Sequence, residues 1–200
     1  MLIGLRLYIK DMCEKLEQFS VLLTVYYKEK AEYFRRCLES LSEQTIPADE
    51  WVIVKDGPLT PELDTVIFEY EQFNDTNIKI VSLEKNCGSG IASAAGLEVC
   101  SYDLVARMDS DDVAVNNRFE LQLNEFRNDP MLDVCGGQIL EFENDENTPI
   151  AERRVPLAHD DILKYHKLRS AVNNQTAMIR KDKIIAAGGY RDAPYMEDYM

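Results

Sequence analysis

The segment Tyr102-Asp103-Leu104-Val105-Ala106-Arg107-Met108-Asp109-Ser110-Asp111-Asp112 decides the reading of this chain. A mostly apolar run of strand length leads into three carboxylates within four residues. Carboxylates this close repel one another unless a cation or a set of donors sits among them. Hard cations such as Mg2+ and Mn2+ are held by one or two carboxylates plus substrate phosphates, so the cluster points to a metal-bridged phosphate ligand. Open α/β sheets bind ligands at the carboxyl ends of their strands, which is where the cluster falls. Helix capping by Asp111 or Asp112 accounts for one acid, not three. An EF-hand loop needs an oxygen ligand and a glycine where Val113 and Ala114 stand.

Upstream of the cluster, strand and helix patterns alternate. Residues 20–26 form a continuous apolar, β-branched run, as in a buried central strand. Residues 30–44 have helical spacing, with Phe34, Cys37, Leu38 and Leu41 on one face. Residues 51–54 make a second strand, closed by the turn signal Lys55-Asp56-Gly57-Pro58. Thr60 caps a helix that has Pro61 in its first position and runs to Phe73. Residues 78–83 and 102–108 are further strands, joined by a small-residue helix over 89–100. This order predicts an α/β fold with a mostly parallel central sheet and helices on both faces. The second half is less regular. A helix is expected over 117–128, an extended stretch over 131–142 broken at Gly136-Gly137, and an acidic loop over 141–147. Beyond it come a helix over 160–169, a strand over 175–179 and a helix over 181–187 stopped by Gly188-Gly189. Residues 1–19 read as an N-terminal extension.

Two hundred residues suit one domain with a full core. The net charge of −14, from 36 acidic and 22 basic residues with no basic stripe, argues against nucleic-acid binding. It also repels a diphosphate at long range, so a metal or a local positive site has to offset that repulsion. Cys13, Cys37, Cys87, Cys100 and Cys135 are scattered and lack CxxC spacing, which argues against zinc and for free thiols in a reducing cytoplasm. No apolar run approaches the ~20 residues of a membrane span. The expectation is a soluble cytoplasmic protein, with room for peripheral membrane contact at its cytoplasmic face through parts beyond residue 200.

Three further features carry chemistry. Asp56 falls at the carboxyl end of the second strand, where it either contacts a nucleotide base or ribose or closes an Asp-Gly-Pro turn. Gly88-Ser89-Gly90 precedes a helix rich in Ala and Gly, consistent with either phosphate binding or close helix–sheet packing. The GxGxxG and P-loop fingerprints are absent. Glu197-Asp198, flanked by aromatics, is a candidate general base or an exposed acidic pair near the chain end.

Taken in order, these pieces resemble the inverting, family 2 nucleotide-sugar glycosyltransferases of the GT-A fold, of the bacterial polysaccharide type. The matching stretches are Ser20 to Tyr26, Ser42-Glu43-Gln44-Thr45, Val54-Lys55-Asp56-Gly57, Asn86-Cys87-Gly88, Arg107 to Asp112 and Asn117-Arg118-Phe119-Glu120. Asn174 to Arg180 and Gly188-Gly189-Tyr190 follow, ahead of Glu197-Asp198-Tyr199. Two departures are Lys55, where many members carry an acid, and Gly-Ser-Gly-Ile-Ala after Cys87, where a basic residue is usual.

The resemblance implies a GT-A domain over 20–200, with a nucleotide-binding half to about residue 112 and an acceptor half from about 113. Asp56 would contact uracil or another base, and Thr24 to Tyr26 would line the base pocket beside Gly88. Asp109 and Asp111 would form the DxD motif: Asp111 on Mn2+ or Mg2+, Asp109 on the ribose or the metal. Asp198 would be the catalytic base, with Glu197 placing it or the acceptor. Asp112 would cap the chain that follows. The donor would be a nucleotide-diphosphate sugar, a UDP-sugar first, and the acceptor a saccharide or lipid-linked saccharide of capsule, O-antigen or exopolysaccharide synthesis. Family members continue past this point, so a C-terminally truncated acceptor half with weak turnover is expected. A nucleotidyltransferase and a non-catalytic nucleotide-binding module stay as alternatives; the first usually carries a glycine-rich loop where Tyr26-Tyr27-Lys28-Glu29-Lys30 stands.

Overall fold

The computed structural model describes residues 17–143 and 145–192. Most of the N-terminal extension, and Glu197 and Asp198, lie outside the described residues. The first half alternates as β1 (Phe19–Val25), α1 (Ala31–Ser42), β2 (Glu50–Lys55), α2 (Pro61–Phe73), β3 (Asn77–Ser82), α3 (Ser89–Val99) and β4 (Leu104–Asp109). Then come α4 (Arg118–Asn128), β5 (Val134–Cys135), β6 (Ile139–Glu141), β7 (Ala151–Arg153), α5 (His159–Tyr165), a 3-10 turn (Asn174–Thr176), β8 (Met178–Arg180) and α6 (Lys181–Ala186).

The main sheet has the order β3-β2-β1-β4-β8-β5. The pairs β3–β2, β2–β1 and β1–β4 are parallel. β8 runs antiparallel between β4 and β5. Successive side chains along each strand point to opposite faces, so the inner strands feed two cores. Val21, Leu23, Trp51, Ile53, Ala106 and Met108 pack under α1, α2 and α4, where Phe34, Leu63 and Phe119 meet them. Leu22, Val52, Val54 and Val105 face α3 through Ala92 and Leu97. Both faces are thus covered, which is why these strands read as continuous apolar runs. Thr60 caps α2 as its sequence predicts, its Oγ1 accepting from Leu63 N at 3.4 Å.

The extended stretch over 131–142 is broken at Gly136-Gly137, as its sequence predicts. Past Gly136-Gly137 the chain leaves the main sheet, and β6 pairs with β7 in a separate ribbon. The second half departs from expectation at two places. The strand expected over 175–179 is a 3-10 turn, with the strand displaced to Met178–Arg180. Thr176 imposes the turn: its Oγ1 donates to Asn173 O at 2.7 Å and accepts from Gly137 N at 2.8 Å. The helix expected over 160–169 ends at Tyr165, since it buries no side chain that would extend it.

Candidate functional site

The register of the parallel strands assembles the site. Thr24 is opposite Val54 on one side and Asp109 on the other. Val54 belongs to the α3-side core, so alternation puts Thr24, Asp109 and, two residues beyond Val54, Asp56 on that same face at the carboxyl edge. Lys55 turns to the other face, where its ammonium pairs with Asp64 at 2.6 Å. The departure at position 55 therefore points away from Asp56.

Asp56 is 4% exposed. Its Oδ1 accepts from Cys87 N at 2.7 Å and its Oδ2 from Gly88 N at 3.0 Å. The carboxylate thus fastens the loop before α3 instead of closing its own Asp-Gly-Pro turn. Gly57 makes this approach feasible: its φ is +85°, and a Cβ there would fall 2.5 Å from Asn86 N and 2.8 Å from the Lys85 carbonyl carbon. Gly88 has φ +89°. The small residues of α3 serve packing, since a Cβ on Gly96 would collide with Leu22 and Val54.

At the end of β4, Asp109 is half-exposed and faces Arg107 Nη2 at 3.5 Å. Asp111 is exposed. Asp112 does not cap the following helix. α4 starts behind Asn117, and its Phe119 N donates to Gln44 Oε1 at 3.2 Å. Gln44 Nε2 also donates to Val115 O at 2.8 Å, and Thr45 N to Asn116 O at 2.8 Å. Residues just past α1 thus do the work that a local cap would do. The loop is moulded on α1 at two more points: Cys37 Sγ donates to Asp109 O at 3.4 Å, and Ala114 N to Ser40 Oγ at 3.0 Å.

A fourth acid joins the cluster, one for which the sequence carries no local signal. Glu29, between β1 and α1, accepts from Ser110 Oγ at 2.9 Å. The link ties the loop bearing Tyr26 and Tyr27 to the acid loop. Tyr26 itself is 40% exposed beside that edge. The Asp112 carboxyl is pushed up to about 7, first by burial, then by the adjacent Asp109 and Asp111 charges. Beneath the loop, Arg118 is pulled down to about 10 by burial, while nearby acids hold it up. Its guanidinium is spent on Arg107 O at 2.6 Å and Gln122 Oε1 at 3.1 Å.

The structure therefore brings Thr24, Tyr26, Asp56, Gly88, Asp109 and Asp111 to one sheet edge. Among the described residues no three His, Cys, Asp or Glu side chains form a ready-made cation cage. Asp109, half-exposed, and Asp111, exposed, stand together at the end of β4 and would fit a cation held by one or two carboxylates and completed by a phosphate ligand. No helix among the described residues is long and apolar enough to cross a membrane.

Comparison with known proteins agrees with this architecture. The chain is 42% identical over 181 residues to the amylovoran biosynthesis glycosyltransferase AmsE of Erwinia amylovora, covering 90% of this chain and 66% of that one. It is 36% identical over 188 residues to the UDP-Gal:alpha-D-GlcNAc-diphosphoundecaprenol beta-1,3-galactosyltransferase of Escherichia coli, covering 94% and 67%. The mannosyltransferase PcManGT from Pyrobaculum calidifontis, solved with GDP-Man and Mn2+, shares the fold with a TM-score of 0.65 at 14% identity, covering 98% of this chain and 57% of that one. The chain thus spans about two thirds of the length of these relatives. The family model described as glycosyl transferase family 2 matches residues 20–189, and the chain belongs to that family.

Proposed function

We propose that the protein is a metal-dependent inverting glycosyltransferase of polysaccharide synthesis, taking its sugar from a nucleoside diphosphate donor. The observation that carries this is the gathering of Thr24, Asp56, Asp109 and Asp111 on one sheet edge, with Gly88 beside Asp56. UDP-sugar is the favoured donor and a lipid-linked saccharide the favoured acceptor, in line with the name of the E. coli relative. Such an acceptor places the reaction at the cytoplasmic face of a membrane.

In this reading the base sits between Asp56 and the backbone of Thr24 to Tyr26, and Asp109 takes the ribose. Asp111, with Asp109, would hold Mn2+ or Mg2+. When bound, the cation would neutralise charge on the diphosphate leaving group. Asp198 takes the proton from an acceptor hydroxyl, whose oxygen bonds to the anomeric carbon as the bond to the diphosphate breaks on the opposite face. Glu197 places that base or the acceptor. A base of this kind contributes about 10²–10⁴-fold.

Titration calorimetry with UDP and GDP, with and without Mn2+, tests the donor site. The expected result is cation-dependent binding that Asp111→Ala abolishes and Asp198→Asn leaves intact. Cation-dependent binding that persists in Asp111→Ala overturns the metal assignment. Pyrophosphate release from a nucleoside triphosphate would mark a nucleotidyltransferase instead.

A further inference from the structure

Arg107 is 2% exposed, on the α3 face of β4 and one step below Asp109. Its neighbours across the sheet, Leu22 and Val52, are core residues. A guanidinium in such a place is costly unless acceptors surround it, and an apolar side chain of similar size is often as stable or more so. Its own set is sparse. Nη1 donates to Leu22 O at 3.2 Å, and Nη2 faces Asp109 Oδ1 at 3.5 Å. The Tyr190 ring lies against the guanidinium, 5.5 Å from centroid to Cζ. Nε is buried with no partner.

The backbone of Arg107 is pinned on two sides. Its N donates to Ala177 O at 2.7 Å, and its O accepts from Arg118 Nη2 at 2.6 Å. The side chain is therefore a fork with a fixed stem. One tine rests on the β1 backbone and the other on a carboxylate that emerges at the sheet edge. Packing alone gives no reason for a charge at this point. A rigid, always-charged planar group suits the holding of one carboxylate in one direction.

We infer that Arg107 is a positioning residue that orients the Asp109 carboxylate at the donor site, with Tyr190 closing the cradle on its other side. The inference rests on the donor-site reading of Asp109. It adds a buried residue that touches no ligand yet sets how well one is bound.

The test is a double-substitution cycle on Arg107→Met and Asp109→Asn, read in two ways. In metal-free protein, urea unfolding is expected to show non-additive effects of the two substitutions. In calorimetry with UDP and Mn2+, folded Arg107→Met is expected to bind about tenfold more weakly, the loss that goes with one charged hydrogen bond. In the Asp109→Asn background it is expected to change affinity little. Arg107→Lys, whose single ammonium cannot hold Leu22 O and Asp109 together, is expected to bind more weakly than wild type, and serves in the cycle if Arg107→Met does not fold. Tyr190→Leu is expected to give a smaller effect in the same direction. Glu50→Gln, at the opposite edge of the sheet, controls for lost stability and is expected to leave affinity unchanged. Additive unfolding effects, or wild-type affinity in a folded Arg107 variant, overturn the role of Arg107. Wild-type protein that binds neither UDP nor GDP with Mn2+ overturns the donor-site reading itself.

Discussion

Asp56→Asn is a test of how the site edge is built, because it separates scaffold from ligand contact before any nucleotide is added. The carboxylate is nearly fully buried and accepts from Cys87 N at 2.7 Å and Gly88 N at 3.0 Å. Hydrogen bonds to a charged group contribute about 1.5–3 kcal/mol each. An asparagine retains one carbonyl oxygen, so one bond survives. Its amide NH2 then faces the other backbone N–H, and a buried donor is left without an acceptor. The expected cost is therefore one charged bond, about 2–3 kcal/mol. For a chain of this size that corresponds to a melting temperature lowered by roughly 4–12 °C. Asp56→Ala removes both bonds and is expected to cost roughly twice as much. Urea denaturation followed by circular dichroism at pH 7, without nucleotide, reads the difference. If the asparagine variant unfolds at the wild-type midpoint, Asp56 does not hold the loop in solution, and the carboxylate is free for a ligand alone.

Other perturbations address the remaining scaffold. Glu50 is fully buried and accepts from Ser20 Oγ, Ser101 N and Ser101 Oγ at 2.8 Å each and from Lys79 Nζ at 2.6 Å. Glu50→Ala is expected to cost about 1–3 kcal/mol by leaving the buried Ser20 hydroxyl without its acceptor, Lys79 being a third exposed and able to reach water, and an unchanged midpoint in urea melts would contradict that. Burial pushes the Glu50 carboxyl up, but the bonds from Lys79, Ser101 and Ser20 outweigh it and hold the group below its usual 4.5. Its folded value lies below its unfolded one, so its stabilisation is present above that range and is lost as pH falls through the folded value. The acid limb of a wild-type stability profile should accordingly flatten in Glu50→Gln. Gln44→Ala frees Phe119 N and Val115 O at once and is expected to cost about 2 kcal/mol. Hydrogen exchange should then rise across residues 109–119 while β1 to β3 stay protected, and uniform protection throughout would refute the trans cap.

The first half of the fold was legible because each element carries its own local signal. Phe34, Cys37, Leu38 and Leu41 sit at helical spacing and are all buried. Thr60 with Pro61 announces a helix start, and the buried strands are unbroken apolar runs. β8 was misplaced because it is three residues long and gains its order from remote partners: Arg180 N donates to Asp133 O, and Thr176 answers Gly137 from 39 residues away. The same distinction divides the site. The edge position of Asp109 and Asp111 was legible because dense carboxylates at a strand end are unusual wherever they occur, whereas Asp56, a lone acid, stayed open between a ligand contact and an Asp-Gly-Pro turn. Glu29 and Gln44 were not legible in these roles, since Glu29 meets Ser110 across 81 residues and Gln44 meets Phe119 across 75. Composition gives no hint of a contact that only the register of β1 on β4 creates.

The two edges of the sheet handle buried charge in opposite ways, and that contrast bears on what the site needs. At the amino edge Glu50 is saturated: every acceptor position has a donor, and Lys79 supplies the counter-charge. Nothing is left there to bind. At the carboxyl edge Glu29, Asp109, Asp111 and Asp112 crowd one loop. Arg118 gives its hydrogen bonds to Arg107 O, Met108 Sδ and Gln122 rather than to those acids. Arg107 reaches Asp109 alone among them, and only at 3.5 Å. The cations beneath the loop thus fix backbone and direction, while exposed Asp111 and half-exposed Asp109 keep negative charge at the surface. In a chain of net charge −14 that charge repels a diphosphate. On the reading proposed above, a cation arriving with the ligand would offset that repulsion, and occupancy of the edge would then depend on metal and nucleotide together.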